Sequence, residues 1–290
     1  MKKITTGISL LLLILFITAC NNESVDEPDT ETAGNEEVDP SNEAEDSDSA
    51  EQDLPADDGA EDSEESDEEV TEETPDEPEV SYQVNQNNWA VEPIEEGIDE
   101  KVVLLTIDDA PDGQALEMAQ TLKSLEVPAI FFVNGHFLAT DEKHDILKDI
   151  HDMGFAIGNH TFNHPNLQDI SGEEQRQQLV DLNDLIESII GERPQFFRAP
   201  FGANTDESLA IAEEENMVVM NWSYGYDWEK DYQDATNLAD IMVNTEFLRD
   251  GANLLMHDRT WTNEALPDIV SGLRERGYSF VDPDAIKKVD

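Results

Sequence analysis

From Lys101 to the end of the chain, short apolar runs rich in β-branched residues alternate with amphipathic helical patterns. Such alternation is typical of parallel strands joined by right-handed helical crossovers. The predicted strands are Val102–Ile107, Ala129–Val133, Phe155–Gly158, Gln195–Arg198, Met217–Trp222, Ala252–Met256 and Tyr278–Val281. The predicted helices span 113–125, 141–152, 172–190, 206–215, 234–248 and 261–275. We therefore predict an α/β fold, a distorted (β/α) barrel with about seven parallel strands, with a doubly wound open sheet as the alternative.

The first predicted strand delivers two adjacent carboxylates, Asp108 and Asp109, at its carboxyl end. In parallel α/β folds, catalytic groups usually lie at this end of the sheet. Asp109 could bind a metal ion while Asp108 faces the group that the metal activates, because a cation offsets the repulsion between the two charges. The alternative is an acidic turn or an N-cap of the following helix.

Two histidines four residues apart, His160 and His164, follow the third predicted strand. Pro165 disfavours helical geometry at His164, so we expect a loop or a single turn there. With Asp109, the two imidazoles would form a two-histidine, one-carboxylate site with open positions, the composition of a catalytic metal centre. A chance spacing on the surface is the alternative. Surface or packing roles are expected for the other early histidines, His136, His144 and His151.

Charged residues also follow the fourth, fifth and sixth predicted strands. Arg198 ends the fourth strand and is expected to pair with a carboxylate, which keeps that carboxylate ionised and oriented. His257 follows the sixth strand. A carboxylate such as Asp227, which follows the fifth strand, would stabilise the charged form of His257. That histidine could then donate a proton at neutral pH.

Aromatic residues gather around Asp227 in the sequence: Tyr224, Tyr226 and Trp228. Sugar rings stack on aromatic surfaces of this kind, and we expect Tyr226 and Trp228 to line a substrate pocket. Ordinary core packing is the alternative.

Five motifs therefore occur in order near predicted strand ends: T-I-D-D-A-P, H-T-F-N-H, R-A-P-F-G, D-W and L-M-H. This set resembles the motifs of the NodB-type polysaccharide deacetylases, carbohydrate esterase family 4, and the resemblance covers roughly residues 100–285. It implies a NodB homology domain, a distorted (β/α) barrel that binds one divalent metal ion, usually zinc or cobalt. We expect zinc.

The resemblance also implies roles at the matching positions. Asp108 would be the catalytic base, tethered by Arg198. The metal ligands would be Asp109, His160 and His164.

For the rest of the site, the resemblance implies that Asp227 tunes the catalytic acid His257. The backbone N–H of Phe201 would help to form the oxyanion site, while Trp228 and Leu255 would line the pocket for the acetyl methyl group. The sequence departs from the family pattern at Ile107, Ala110 and Tyr224, where the family commonly has Phe, Gly and an aspartate. These departures affect the shape of the pocket, and no charged or ligating residue is lost.

Residues 1–20 have the pattern of a bacterial lipoprotein signal peptide. Lys2 and Lys3 give a positive start, and the apolar run 8–17 is too short for an easy membrane span. The following I-T-A-C resembles a lipobox, in which the cysteine is diacylated and becomes the mature N terminus. We predict a lipid anchor on Cys20, the only cysteine of the chain, with a plain secretory signal as the alternative.

Residues 21–81 contain 28 Asp or Glu and no Lys or Arg. Such a segment buries too little apolar surface to offset its ordering entropy, so we predict a disordered tether. Binding of cations or of a basic partner by this run is the alternative. The predicted deacetylase domain, 82–290, has 14 Lys or Arg against 41 Asp or Glu, a formal charge of −27. This excess of negative charge argues against nucleic acid as a partner.

The sequence therefore predicts a metal-dependent hydrolase that removes N-acetyl groups from a polysaccharide. Peptidoglycan N-acetylglucosamine is the expected substrate, because a tethered lipoprotein would be confined between the outer face of the bacterial membrane and the wall. Chitin oligomers, poly-N-acetylglucosamine and O-acetylated xylan or muramic acid are alternatives. A non-catalytic glycan-binding lipoprotein is the alternative of another class. We expect a monomer.

Overall fold

The computed structural model describes residues 79–289, and a seven-stranded parallel sheet lies at its centre. The strands are β1 Tyr82–Val84, β2 Val91–Pro93, β3 Val102–Ala110, β4 Ile130–Val133, β5 Ala156–Asn159, β6 Phe196–Phe197, β7 Val218–Val219, β8 Ala252–His257 and β9 Ser279–Phe280. The helices are α1 Ala115–Ser124, α2 Asp141–Asp152, α3 Gly172–Ile190, α4 Asp206–Glu214, α5 Ala235–Asn244 and α6 Thr260–Glu275. Strands β1 and β2 form a separate antiparallel pair.

The order of the strands in the sheet is β7-β6-β5-β4-β3-β8, and β9 pairs with the start of β3. The first strand of the sheet lies between the second and the sixth, and the sheet curls into a half-barrel. The predicted distorted (β/α) barrel is confirmed.

Strand β3 is apolar along most of its length because both of its faces are covered. Val103 and Leu105 belong to the core between the sheet and the surrounding helices. Val102 and Leu104 belong to a second core inside the barrel, with Phe132 of β4. The central strand is thus fixed on two sides, and its carboxyl end is a rigid platform.

The segment before β3 packs on the barrel. Val91 is buried in the interior core, and its N–H donates to the carbonyl of Gly251 at 2.8 Å. Trp89 is half-buried, whereas Ile94 is 38% exposed. Val91 is therefore the main apolar anchor of this segment.

The helices begin and end where local chemistry satisfies their free backbone groups. Ser171 and Glu174 form a capping box at the start of α3, and Gly191 ends that helix with a left-handed φ of 83°. Helix α2 is capped by the Thr140 hydroxyl, which accepts the N–H of Lys143. Such caps make the helix boundaries predictable from sequence to within a few residues.

The predicted signal peptide, the lipid anchor on Cys20 and the tether up to residue 78 lie outside the described residues. Between residues 79 and 289, the helices are all too short or too polar to cross a membrane.

Candidate active site

The carboxyl end of β3 contains a β-bulge that turns two adjacent aspartates toward one site. Ile107 pairs with Phe131 and Ala110 with Val133, so β3 has one more residue than β4 between these pairs. Successive side chains of a regular strand point to opposite faces, and a bulge re-aims them. The Nε2 atom of His160 consequently lies 3.5 Å from Asp108 Oδ2 and 4.0 Å from Asp109 Oδ1.

His160 and His164 face Asp109 from a loop, as Pro165 led us to expect. His164 has a left-handed φ of 54°, and its Nε2 lies 3.6 Å from Asp109 Oδ1. The Nδ1 atom of His160 lies 2.8 Å from the carbonyl oxygen of Arg198. Because a carbonyl can only accept, Nδ1 must be the donor, which leaves Nε2 of the neutral ring free to bind a metal.

The three predicted ligands fit a divalent metal ion. One donor atom from each of Asp109, His160 and His164 lies within 4.8 Å of the other two. Burial and the neighbouring His160 lower the pKa of His164, which favours the neutral imidazole that metals bind. Two imidazole nitrogens and one carboxylate oxygen suit zinc and related ions.

Arg198 is wholly buried behind Asp108 and holds one of its two oxygens. Its Nη1 atom lies 2.6 Å from Asp108 Oδ1 and donates to the Thr106 hydroxyl at 2.8 Å. Its Nη2 atom lies 3.3 Å from Asn253 Oδ1. Asp108 Oδ2 is left facing the histidines. Sequence reasoning missed Thr106 and Asn253, although each is a lone polar residue in an apolar strand.

Phe201 lies opposite the aspartates in a short 3₁₀ turn, Pro200–Gly202. Its φ of 59° is left-handed, its side chain is 68% exposed, and its ring packs edge-on against His164 at 4.9 Å. Its backbone N–H donates to no group within the described part of the chain. A backbone N–H without a protein acceptor, on a residue that lines the same cleft as Asp109 and His164, is compatible with the predicted oxyanion role.

Asp227 and His257 form a second pair at the ends of neighbouring segments. Asp227 is wholly buried, and its Oδ1 lies 2.7 Å from His257 Nδ1. Its Oδ2 accepts the backbone N–H of His257 at 2.6 Å and the hydroxyl of Thr262 at 2.8 Å. Nδ1 is thereby fixed as a donor, and Nε2 is the nitrogen available to the cleft.

The charge on Asp227 governs the protonation of His257. Burial alone would lower the pKa of this histidine, but the hydrogen bond and the charge of Asp227, together with the charges of Asp108 and Asp109, outweigh burial and raise the pKa above its usual value. A larger fraction of His257 is therefore protonated at neutral pH, as an acid catalyst requires.

Several of these groups line one cleft with a volume of about 450 Å³. Its residues are Asp109, His164, Phe201, Trp222, Asp227, Trp228, Leu255, His257 and Arg259. Trp228 stands edge-on to His257 with a ring separation of 5.4 Å. Sequence reasoning did not identify Trp222 or Arg259, because neither belongs to the recognised motifs.

Tyr226 does not line the cleft, and its predicted place in the substrate pocket is wrong. Its hydroxyl is 2.6 Å from the Thr245 hydroxyl, and its ring packs against Tyr232 at 5.5 Å. Tyr224 is buried and donates to the carbonyl of Met242 at 2.7 Å. Alternate residues of this extended segment point to opposite sides, so Asp227 faces the cleft while both tyrosines join the packing behind it.

Gly225 allows this segment to lie close to β8. A Cβ atom at this position would be 2.4 Å from the carbonyl oxygen of Leu255 and 2.8 Å from the Trp228 ring. Glycine is therefore required for the approach that places Asp227 and Trp228 beside His257.

His136, His144 and His151 are not part of the cluster of predicted ligands. His136 is exposed, and the Nε2 atom of His144 lies 3.0 Å from the Leu138 carbonyl oxygen. His151 lies near Asp152 and Glu192, at the amino-terminal ends of the strands.

The structure is a curled parallel half-barrel with a two-histidine, one-carboxylate cluster, the donor set of many catalytic metal centres, at the carboxyl ends of its strands. The family profile described as Polysaccharide deacetylase matches residues 95–220. This match includes the predicted metal ligands and Arg198, and it ends before Asp227 and His257.

The named relatives match a longer stretch of the chain, 186 residues in each case. The chain is 30% identical to a peptidoglycan-N-acetylglucosamine deacetylase of Bacillus cereus, over 62% of this chain and 66% of that one. It is also 30% identical to the peptidoglycan-N-acetylmuramic acid deacetylase PdaA of Bacillus subtilis, over 62% and 69% of the two chains. The chain thus spans about two thirds of the length of these relatives. It belongs to the polysaccharide deacetylase family.

Solved structures with this fold include a protein described as a pseudoenzyme. A pseudoenzyme of carbohydrate esterase family 4 from Bacillus anthracis has a TM-score of 0.58 and 31% identity, over 64% of each chain. A mutant of the same protein is described as having restored enzymatic activity. The fold is therefore shared by active and inactive members. Whether a member is active depends on the residues of its site.

Proposed function

We propose that this protein is a metal-dependent hydrolase that removes acetyl groups from an N-acetylated glycan. The observation that carries the proposal is the proximity of three groups: a cluster of potential metal ligands, the carboxylate of Asp108 beside it, and the hydrogen-bonded pair of Asp227 and His257 in the same cleft as Asp109 and His164. The four residues expected to be catalytic, Asp108, Arg198, Asp227 and His257, are all present.

The metal ligands would be Asp109, His160 and His164. A bound divalent ion supplies Lewis-acid activation of water and of an acyl carbonyl. Zinc is the ion we propose, and the same donor set accepts cobalt.

Asp108 would act as the general base through Oδ2, because its Oδ1 is held by Arg198. This oxygen would take a proton from the attacking water. The Phe201 N–H would donate to the oxygen of the acetamide carbonyl as negative charge develops there. His257 would then protonate the sugar amine through Nε2, so that acetate and a free amino sugar leave the cleft.

The shape of the cleft favours a small acyl group beside the ligands. Leu255 is almost fully buried, and the Trp228 ring stands over His257. These two apolar side chains would enclose the acetyl methyl group, while a glycan chain would lie across the open mouth between Trp228 and the exposed Phe201.

Peptidoglycan N-acetylglucosamine is the substrate that we favour within this reaction class. Support comes from the named relatives and from the predicted lipid anchor on Cys20, which would hold a monomer at the outer face of the cell membrane. Chitin oligomers, poly-N-acetylglucosamine, peptidoglycan N-acetylmuramic acid and O-acetylated xylan are the alternatives with the same chemistry.

A non-catalytic glycan-binding protein is the second candidate, because a pseudoenzyme with the same fold exists. Against it stand Asp108, Arg198 and His257, which are all present and paired as turnover requires.

The deciding experiment is acetate release by the purified full chain, with zinc or cobalt added. Peptidoglycan, chitin oligomers and acetylated xylan are tested in parallel, each with a chelator control. Chelator-sensitive release from one of them supports the proposal and identifies the substrate. Metal binding without release from any of them would favour the glycan-binding protein.

A further inference from the structure

A second arginine reaches the predicted metal cluster from the start of α6. The Nη2 atom of Arg259 lies 3.0 Å from Asp109 Oδ2, and its Nη1 atom lies 3.3 Å from Asp112 Oδ2. Nη1 also donates to the carbonyl of Asp258 at 2.9 Å. The guanidinium is thus held at three points in the wall of the cleft, with one edge directed at a predicted ligand.

Arg259 divides the two oxygens of Asp109 between different partners. Oδ1 faces the imidazoles of His160 and His164, at 4.0 and 3.6 Å. Oδ2 faces the guanidinium. A carboxylate binds a metal through both oxygens only if both are free to turn toward it, so this ion pair favours a single-oxygen ligand.

The residues just before α6 also hold the backbone of the loop that follows Asp109. Asp109 has a left-handed φ of 64°, a conformation that a residue with a side chain adopts only when its surroundings hold it. The carboxylate of Asp258 accepts the backbone N–H groups of Gly113 and Gln114. Asp258 and Arg259 therefore fix the loop after β3 at two places.

We propose that Arg259 is a positioning residue of the metal centre. It would hold Asp109 Oδ2 and so leave Oδ1 as the single carboxylate oxygen available to a bound metal. Each aspartate of the adjacent pair then has its own arginine: Arg198 orients the base, and Arg259 orients the ligand. The inference rests on the proposed metal-dependent function.

The test compares metal binding by Arg259→Met and Arg259→Lys in the full chain. Loss of a group that orients a ligand typically weakens metal affinity about 10–100-fold, and we expect this fall in zinc affinity for Arg259→Met. Freed from the guanidinium, Asp109 could bind through both oxygens, so the visible spectrum of the cobalt-loaded variant should change. Arg259→Lys keeps the charge without the two-pronged geometry and should fall between the two proteins.

Arg193→Met is the matched control. Its side chain is 35% exposed, against 34% for Arg259, and it also pairs with carboxylates, Asp184 and Glu187 at 2.7 Å and Glu215 at 2.9 Å. It precedes β6 and so lies at the amino-terminal ends of the strands, whereas the cleft lies at their carboxyl ends. Its zinc affinity and cobalt spectrum should match those of the wild type.

The outcomes separate this inference from the proposed function. If the wild type binds metal and Arg259→Met shows the same affinity and spectrum, or a higher affinity, Arg259 does not position the ligand. If the wild type binds neither zinc nor cobalt, the proposed function fails together with the inference. Thermal unfolding of the metal-free proteins shows whether each variant folds, and Arg259→Lys supplies the comparison if Arg259→Met does not.

Discussion

The cleft has an acid side, Asp227 and His257, and a ligand side, Asp109, His160 and His164, and the two are held in place by different means. On the acid side, Asp227 accepts three hydrogen bonds of 2.6 to 2.8 Å from His257 and Thr262. On the ligand side, the donor atoms of Asp109 and His164 are 3.6 Å apart, which is longer than a hydrogen bond. Hydrogen bonds between protein groups join the members of the first pair directly, whereas the donor atoms of the second are held near one another by their own neighbours, such as Arg259 at Asp109 Oδ2.

The two sides should therefore differ in what stabilises them. Asp109 and His164 both have left-handed backbones, and each such residue costs about 1–3 kcal/mol unless its surroundings compensate. An ion that binds only the folded state returns stability through linkage. We therefore expect the ligand side to depend on metal for its stability, and the acid side to be independent of it.

His164→Ala should abolish metal binding without changing the Asp227–His257 pair. It should give the largest effect of the variants. Zinc retained per molecule should fall toward zero, and acetate release should fall more than about 100-fold, beyond the loss typical of a residue that only supports a ligand. The rise in melting temperature on adding zinc should vanish as well. His151→Ala is the matched control, since its side chain is 27% exposed against 26% for His164. Equal zinc retention by both variants would contradict the ligand assignment.

Asp108→Asn should stop turnover without emptying the metal site. Removing a general base typically costs roughly 10²–10⁴-fold in rate, and the ligands would be untouched. Metal content and acetate release are measured on the same samples, and thermal unfolding reports whether Arg198 tolerates the amide. If metal content fell with activity, the roles of the two aspartates would be wrongly assigned.

The sequence predicted the architecture because each element carries its own local signal. All seven strands of the sheet and all six helices lie within or overlap the stretches that hydrophobic pattern and caps indicated. Strand ends were less predictable. Strand β3 continues to Ala110 through a bulge, since pairing with β4 and β8 decides where it stops.

The motif residues of the site were predictable because they follow strands whose carboxyl ends meet. Arg259 and Gly225 were not, because their contacts with Asp109 and Leu255 depend on how distant segments pack. Tyr226 was wrongly assigned because an aromatic side chain near a site can face the site or the core. The residue sequence alone does not decide which.

Asp227→Asn should disable the acid side while leaving metal in place. The amide keeps a hydrogen bond but loses the charge that raises the pKa of His257, so burial should lower that pKa. The acid form exists below the pKa, and activity is lost as pH rises through it. The alkaline limb of kcat/KM should therefore move to lower pH, with a rate loss of about 10–100-fold at neutral pH, less than the full acid contribution.

The control for that variant is Asp231→Asn, which removes an exposed carboxylate from the same segment and changes the net charge equally. Its pH profile should match that of the wild type. An alkaline limb that stayed in place in Asp227→Asn would show that His257 is not the group titrating there.

Gly225→Ala should give the smallest effect and test how the acid side is built. A Cβ at this position would meet the Leu255 carbonyl oxygen at 2.4 Å, so the segment carrying Asp227 must shift away from β8. Overpacking of this kind costs about 1–3 kcal/mol of unfolding free energy, measured by denaturant titration. Gly113→Ala is the control, because a Cβ there has nothing within 4 Å. Zinc affinity should be unchanged in both, since the ligand side does not depend on Gly225. A weakened zinc site in Gly225→Ala would mean that the two sides of the cleft are coupled through the fold rather than built separately.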